Sequence, residues 1–348
     1  MSVGTGRLSA VLHAGEDIRA GRLLALPYDG GDYRVGYNTL RRYLRAHIVP
    51  RRADGNLSGW FLSGNGFDGW PVKTGVSQRW HIDQLKKAGA DTFWCDAEWF
   101  KGGFPSGAGN WHLPLKETED RVDFPEGIAA LMDYARAPQP GPGLSTILWN
   151  EVERVAKGSY ISQTFPEWIA PFAGGGHGTL LDLGNPDARL FIQEFLVKEV
   201  EAYGLTVLRF DFNVDPLRGQ TGGGGGWQEL DVRAQTAAGG LPRTGVSEAR
   251  YVEGLYTMWD AVLAAHPGLL IDTCASGGRR IDLEILQRAV ALWFTDYSFH
   301  VPANHCPEPE VDSLVSQNDW SGQQVRSETT ITLPAPVFIL RMSFRFMA

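Results

Sequence analysis

The hydrophobic positions change rhythm along this chain, and the change separates two regions. Within residues 1–50, "RLLALPYDGGDYRV" flanks a Gly-Gly pair with apolar runs, which predicts a strand, a turn and a second short strand. "YNTLRRYLRAHIV" then places Leu40, Tyr43, Leu44 and Ile48 at helical spacing, and Pro50 with Arg51 and Arg52 ends it. From about residue 57, short apolar runs alternate with longer amphipathic ones. The short runs are "SGWFLS", "DTFWCD", "LSTILWNE", "TVLRFDF", "LLIDTC" and "ALWFTD", each read as a strand. Between them lie helical patterns: "VSQRWHIDQLKKAG", "FPEGIAALMDYAR", "NPDARLFIQEFLVKEVEAYG", "SEARYVEGLYTMWDAVLAAHPG" and "DLEILQRAV". The third is the best delimited, with Asn185 as N-cap, Pro186 at the first helical position and Gly204 beyond the end.

Strand–helix alternation calls for a parallel sheet covered by helices. A doubly wound sheet and a (β/α)8 barrel of the TIM type both accommodate six strand units before residue 297. The G-x-G-x-x-G of a dinucleotide-binding sheet does not follow the first strand. Polar residues recur at the C-terminal strand ends: Asp96, Glu151, Asp211, Asp272 with Cys274, and Asp296. A barrel gathers those ends at one mouth, so the pattern favours an α/β barrel.

Composition adds limits. The chain has 348 residues, 43% hydrophobic and 21% charged, as an ordinary globular protein does. A net charge of -8 with no basic stripe argues against nucleic acid. No apolar stretch reaches the roughly 18 residues of a membrane span. The N-terminus lacks the apolar core of a signal peptide, and three cysteines form no disulfide framework, which points to a reducing, cytoplasmic setting. Twelve tryptophans weakly favour a carbohydrate ligand, since indole is a stacking platform for sugar rings.

The chemistry centres on "LRFDFNVDP". A carboxylate in an apolar strand is costly unless paired or used. Asp211, with Asp296 of "WFTD", supplies the two carboxyls that glycoside hydrolysis needs; the plainer reading is a pair of structural strand-end aspartates. "CASGGRR" reads as a close backbone approach to a ligand or as a tight turn, and "TGGGGGW" as a loose loop. His300, His305 and Cys306 match no common zinc spacing, so neither metal nor cofactor is expected. Cys274 has no histidine at a recognisable partner position and reads as a small polar wall residue.

These stretches, in this order, resemble the catalytic barrel of the α-galactosidases of glycoside hydrolase family 36, over roughly residues 15–305. The segment "LLALPYDGGDYRVGYNTLRRYLRAHIVPR" resembles the join between that family's N-terminal β-sandwich and its barrel. The resemblance implies a retaining enzyme releasing terminal α-galactose from oligosaccharides, with Asp211 as nucleophile and Asp296 as general acid/base. It assigns Asp96, Trp149, Arg209, Cys274, Gly277 and Trp293 to sugar binding. For retention, the two catalytic carboxyls should stand about 5–5.5 Å apart. An α-N-acetylgalactosaminidase, a transglycosylase and a non-catalytic sugar-binding fragment stay open as alternatives, as does a homo-oligomer. Ala97 and Glu98 stand where many members read Asp-Gly, which leaves the exact sugar open. The expected organisation is a sandwich remnant with linker helix over 1–50, the barrel over 51–306 and a divergent or truncated tail over 307–348.

Overall fold

In the computed structural model, the described residues are 8–19, 21–51, 74–139, 141–170, 179–214, 226–275, 277–290 and 292, with the backbone of 61–65 and 339–342. Five parallel strands form the centre: β1 (Phe61–Asn65), β2 (Thr92–Cys95), β3 (Ser145–Asn150), β4 (Val207–Phe210) and β5 (Leu270–Thr273). They lie side by side in chain order, and Ile339–Met342 adds an antiparallel strand on the free edge of β1. A regular barrel has only parallel strands, so that sixth strand departs from the barrel pattern. Among the described residues the sheet is open. Val290, just before the expected strand "ALWFTD", makes a single parallel bridge with Asp272 beside β5; of that strand only Leu292 lies among the described residues.

Besides a short helix at Tyr160–Thr164, the helices are α1 (Tyr33–His47), α2 (Gly75–Lys87), α3 (Ile128–Arg136), α4 (Pro186–Tyr203), α5 (Gly226–Ala237), α6 (Val246–Ala265) and α7 (Leu283–Leu286). The sequence signals hold best in α4. Asn185 accepts a hydrogen bond from the Asp187 N–H at 2.9 Å, and Gly204 is left-handed at φ 58°. The α2 N-terminus is closed by a Thr74–Ser77 capping box. At its other end, buried Lys86 donates to the carbonyls of Tyr134 and Ala137, closing α3 from outside.

The region before the sheet differs from expectation. No strand forms in 22–35; the Asp32 carboxylate accepts from the Arg34 N–H at 2.9 Å and caps α1, so Tyr33–Val35 become its first turn. Residues 8–19 and 21–51 contain one two-residue strand, Ser9–Ala10, paired with Arg243–Thr244. The helix read over "DLEILQRAV" shrinks to four residues, because the chain must turn to bring Val290 beside β5. Three features had no sequence counterpart: the short helix at Tyr160–Thr164, helix α5 and a small sheet of Arg154–Val155, Thr179–Leu181 and Ile169–Ala170.

Strand alternation divides the core in two. Phe93, Cys95, Leu148, Leu208, Phe210 and Ile271 pack with helix residues such as Ile82, Met132, Phe195 and Trp259. Trp94, Ile147, Val207, Leu270, Val290 and Leu292 form a second cluster on the other face. Runs buried on both faces explain why these strands read as continuous hydrophobic stretches.

The α6 helix meets the α4 entry loop at Gly254, where an added Cβ would run into the Leu183 carbonyl oxygen. Gly254→Ala should therefore lower stability by about 1–3 kcal/mol from overpacking, against the roughly 1 kcal/mol that alanine gains over glycine in a helix. A lower urea midpoint checks it; an unchanged or higher midpoint would show that the contact is soft.

Candidate active site

The sheet register stacks the second face in layers. Trp94, Ile147, Val207 and Leu270 sit opposite one another across β2–β5 and make the lowest. One step up, Trp149 lies opposite Arg209, and Arg209 opposite Asp272; Asp96 follows β2 at that level. Another two residues along each chain come Glu151, Asp211 and Cys274. Apolar side chains thus give way to polar ones toward the C-terminal strand ends, where parallel α/β folds keep their sites.

Arg209 is buried and bonds Asp272, which is also buried; its guanidinium stands 4.3 Å over the Trp94 ring. Burial alone would lower the guanidinium pKa, but Cys274, Asp272, Asp211 and Asp96 around it raise it instead. Asp272 also accepts the Leu292 N–H at 2.7 Å. Arg209 is therefore tied to Asp272 rather than directed wholly at a ligand.

Asp211 lies one residue beyond β4 and stays partly exposed. Its backbone N–H donates to the Asn150 carbonyl at 2.9 Å. Its Oδ2 accepts from Asn213 Nδ2 at 2.8 Å and from Trp149 Nε1 at 3.3 Å. Trp149 is itself buried, stacked on Phe100 and edge-on to Phe104, and its carbonyl accepts from Trp99 Nε1 at 2.8 Å. The indole assigned to a sugar ring is thus covered by aromatic neighbours, and its N–H holds Asp211.

Cys274 receives the Gly277 N–H on its sulfur at 3.2 Å, and burial pushes its thiol up, which suits a wall residue and not a nucleophile. Gly277 has φ 86°, so the turn in "CASGGRR" requires glycine there. Asp96 is 9% exposed, and its Oδ1 accepts the Ala97 N–H at 2.8 Å. Glu98 holds φ 83°, left-handed in spite of its side chain, at the position where the resemblance calls for glycine. Asp296, Trp293, His300, His305 and Cys306 lie outside the described residues, as does most of "TGGGGGW". Among the described residues, no cluster of His, Cys, Asp and Glu fits a metal ion.

Three residues at or near the strand ends had no role assigned from the sequence. Asn213 reaches Asp211, Asp272 anchors Arg209, and Glu151 is buried against Arg154. The two-residue spacing from Asp211 to Asn213 was the available signal for the first. Behind the site, Glu199 of α4 is fully buried and accepts from Asn150 Nδ2 at 2.9 Å. Burial raises the pKa of Glu199 to about 8. Burial likewise pushes the pKa of Glu151 up, with the Asp211 charge adding to it and Arg154 opposing.

A family model described as Melibiase matches residues 77–303. The chain is 24% identical over 224 residues to α-galactosidase Mel36A of Lactobacillus acidophilus, covering 62% of this chain and 27% of that protein. It is 26% identical over 320 residues to a probable α-galactosidase C of Aspergillus terreus, covering 85% of this chain and 37% of that one. A variant of the GH36 α-galactosidase AgaA from Geobacillus stearothermophilus, in complex with stachyose, shares its fold with a TM-score of 0.59 at 21% identity, over 74% of this chain and 33% of that one. The chain spans about a quarter to a third of the length of these relatives.

Removing Asp272 strands a buried guanidinium. Asp272→Ala should cost about 3–5 kcal/mol, and the pair Arg209→Met with Asp272→Leu far less; urea midpoints of the three proteins check it. Glu199 gives a pH signature. Its folded pKa lies above its unfolded value, so its contribution is whole below pH 4.5 and is lost as pH rises through about 8. Glu199→Gln should flatten the fall in stability across that window, read from unfolding midpoints at several pH values.

Proposed function

Because the chain belongs to the melibiase family, we propose that it carries the catalytic centre of a retaining α-galactosidase acting on terminal α-galactosyl groups of oligosaccharides. The observation that carries this reading is Asp211: a partly exposed carboxylate at a parallel strand end, fixed through Oδ2 by two neutral donors. In the proposed first step, a carboxylate oxygen of Asp211 attacks the anomeric carbon. The glycosidic bond breaks, and its oxygen leaves with the proton of Asp296. In the second step Asp296 takes a proton from water, whose oxygen displaces Asp211 and regenerates both groups. Two inversions at the anomeric carbon return an α-product.

Asp96, Trp149, Arg209, Cys274, Gly277 and Trp293 are proposed to line the sugar pocket. Trp149 and Arg209 would act mainly by fixing Asp211 and the layer beneath it. The five parallel strands would form one side of a (β/α)8 barrel spanning about residues 51–306, with the preceding residues as the end of an N-terminal domain. Raffinose-type oligosaccharides are the proposed substrate class, by analogy with the stachyose complex of AgaA.

The test is release of nitrophenol from an aryl α-galactoside by the purified chain and by Asp211→Asn. The wild type should turn over, with the α-anomer of galactose formed first by proton NMR. The variant should lose at least about a thousandfold, at the upper range for removing a group that acts in the chemical step. A folded wild type without turnover, or a variant that keeps its rate, would overturn the reading.

A further inference from the structure

The buried Glu151–Arg154 pair lies outside the roles derived so far. Both side chains are almost wholly buried, three residues apart in the turn after β3. Arg154 reaches Glu151 Oε2 at 2.9 Å and Oε1 at 3.2 Å, and its guanidinium lies 4.9 Å over the Phe104 ring. Phe104 in turn packs edge-on against Trp149. On its other side, Glu151 Oε1 accepts the backbone N–H of Asn213. By Asn213 the chain has left β4, so the Glu151 carboxylate takes the place of a sheet neighbour for that N–H.

We infer that Glu151 is a positioning residue for Asp211, acting through Asn213 and held in place by Arg154. This rests on the reading of Asp211 as the nucleophile. The geometry forms a relay: Arg154 fixes Glu151, Glu151 fixes the Asn213 backbone, and the Asn213 side chain fixes Asp211 Oδ2. The Trp149 N–H reaches the same oxygen from β3. Two donors on one oxygen set the rotation of the carboxylate about its side-chain torsion. Without Glu151, the half-buried Asn213 N–H loses this acceptor, and its backbone shifts to find water. A shift of about 1 Å at a reacting group is enough to lower a rate a hundredfold. A purely structural ion pair would need Arg154 alone and would have no reason to face the segment that carries the nucleophile.

Three variants test the relay: Glu151→Met, which removes the acceptor, Asn213→Ala and the double variant. The readouts are kcat and KM on an aryl α-galactoside and the rate at which a 2-deoxy-2-fluoro-galactosyl fluoride labels Asp211. Each single variant should lower kcat and labelling by about tenfold to a hundredfold with KM within about twofold. The double variant should be no slower than Asn213→Ala, because Glu151 acts through that residue. Multiplicative losses in the double variant, or a change confined to KM, would overturn the inference. A second readout needs no turnover. In protein labelled with 15N-asparagine, Glu151→Met should move both the backbone and the side-chain resonances of Asn213. A side-chain pair that stays in place would overturn the relay. A wild type that neither turns over nor labels overturns the proposed activity, and the NMR arm still decides the relay.

Discussion

The buried pair of Arg209 and Asp272 is the constraint on which the sheet and the candidate site both depend. One guanidinium and one carboxylate join β4 to β5 at the level where apolar layers end. The same guanidinium lies over Trp94 of β2, and the same carboxylate receives the Leu292 N–H from the segment after α7. Four segments therefore meet at one ion pair. Burying it is costly, since charges leaving water lose solvation that the pair only partly returns. A hydrophobic pair of similar volume would serve stability as well. What such a pair would not supply is a fixed positive charge beneath Asp211.

Much of this was legible in the sequence, for identifiable reasons. Strands β2 to β5 are buried on both faces, so they appear as unbroken apolar runs ending in a carboxylate. Helix α4 carries its own boundaries in Asn185, Pro186 and Gly204. Helix α5 was not legible because its stability is borrowed. Trp227 packs against Tyr251, and Asp231 accepts the Gly245 and Ser247 N–H groups to cap α6. The small sheet beside the site consists of strands of two and three residues, too short for periodicity to register. Residues 22–35 misled because a Gly-Gly turn and an N-cap aspartate share the same local composition, and the Asp32 hydrogen bond decides between them.

The site divides in the same way. Asp211 and Arg209 follow from alternation along one strand. Glu151, Arg154 and Asn213 do not, because the contact that joins them spans 62 positions and is made to a backbone N–H. No residue type announces such a bond. Ala97 and Glu98 are a different case: the sequence shows the departure from Asp-Gly, and the structure shows Glu98 in a left-handed conformation. A side chain there costs about 1–2 kcal/mol, and glycine would adopt it freely. The sequence alone could show the substitution but not that the backbone at Glu98 is left-handed.

The way Asp211 is held fits what a nucleophile needs. A carboxylate gripped by a guanidinium is well oriented but poorly reactive, because its lone pairs are engaged by a full charge. Hydrogen bonds to charged groups contribute about 1.5–3 kcal/mol, against about 1 for neutral donors, and the difference must be given up when the oxygen attacks carbon. Among the described residues, the guanidinium of Arg209 bonds Asp272, and an indole and an amide donate to Asp211 Oδ2. Neutral donors of this kind aim a carboxylate oxygen without engaging it as fully as a charged partner would.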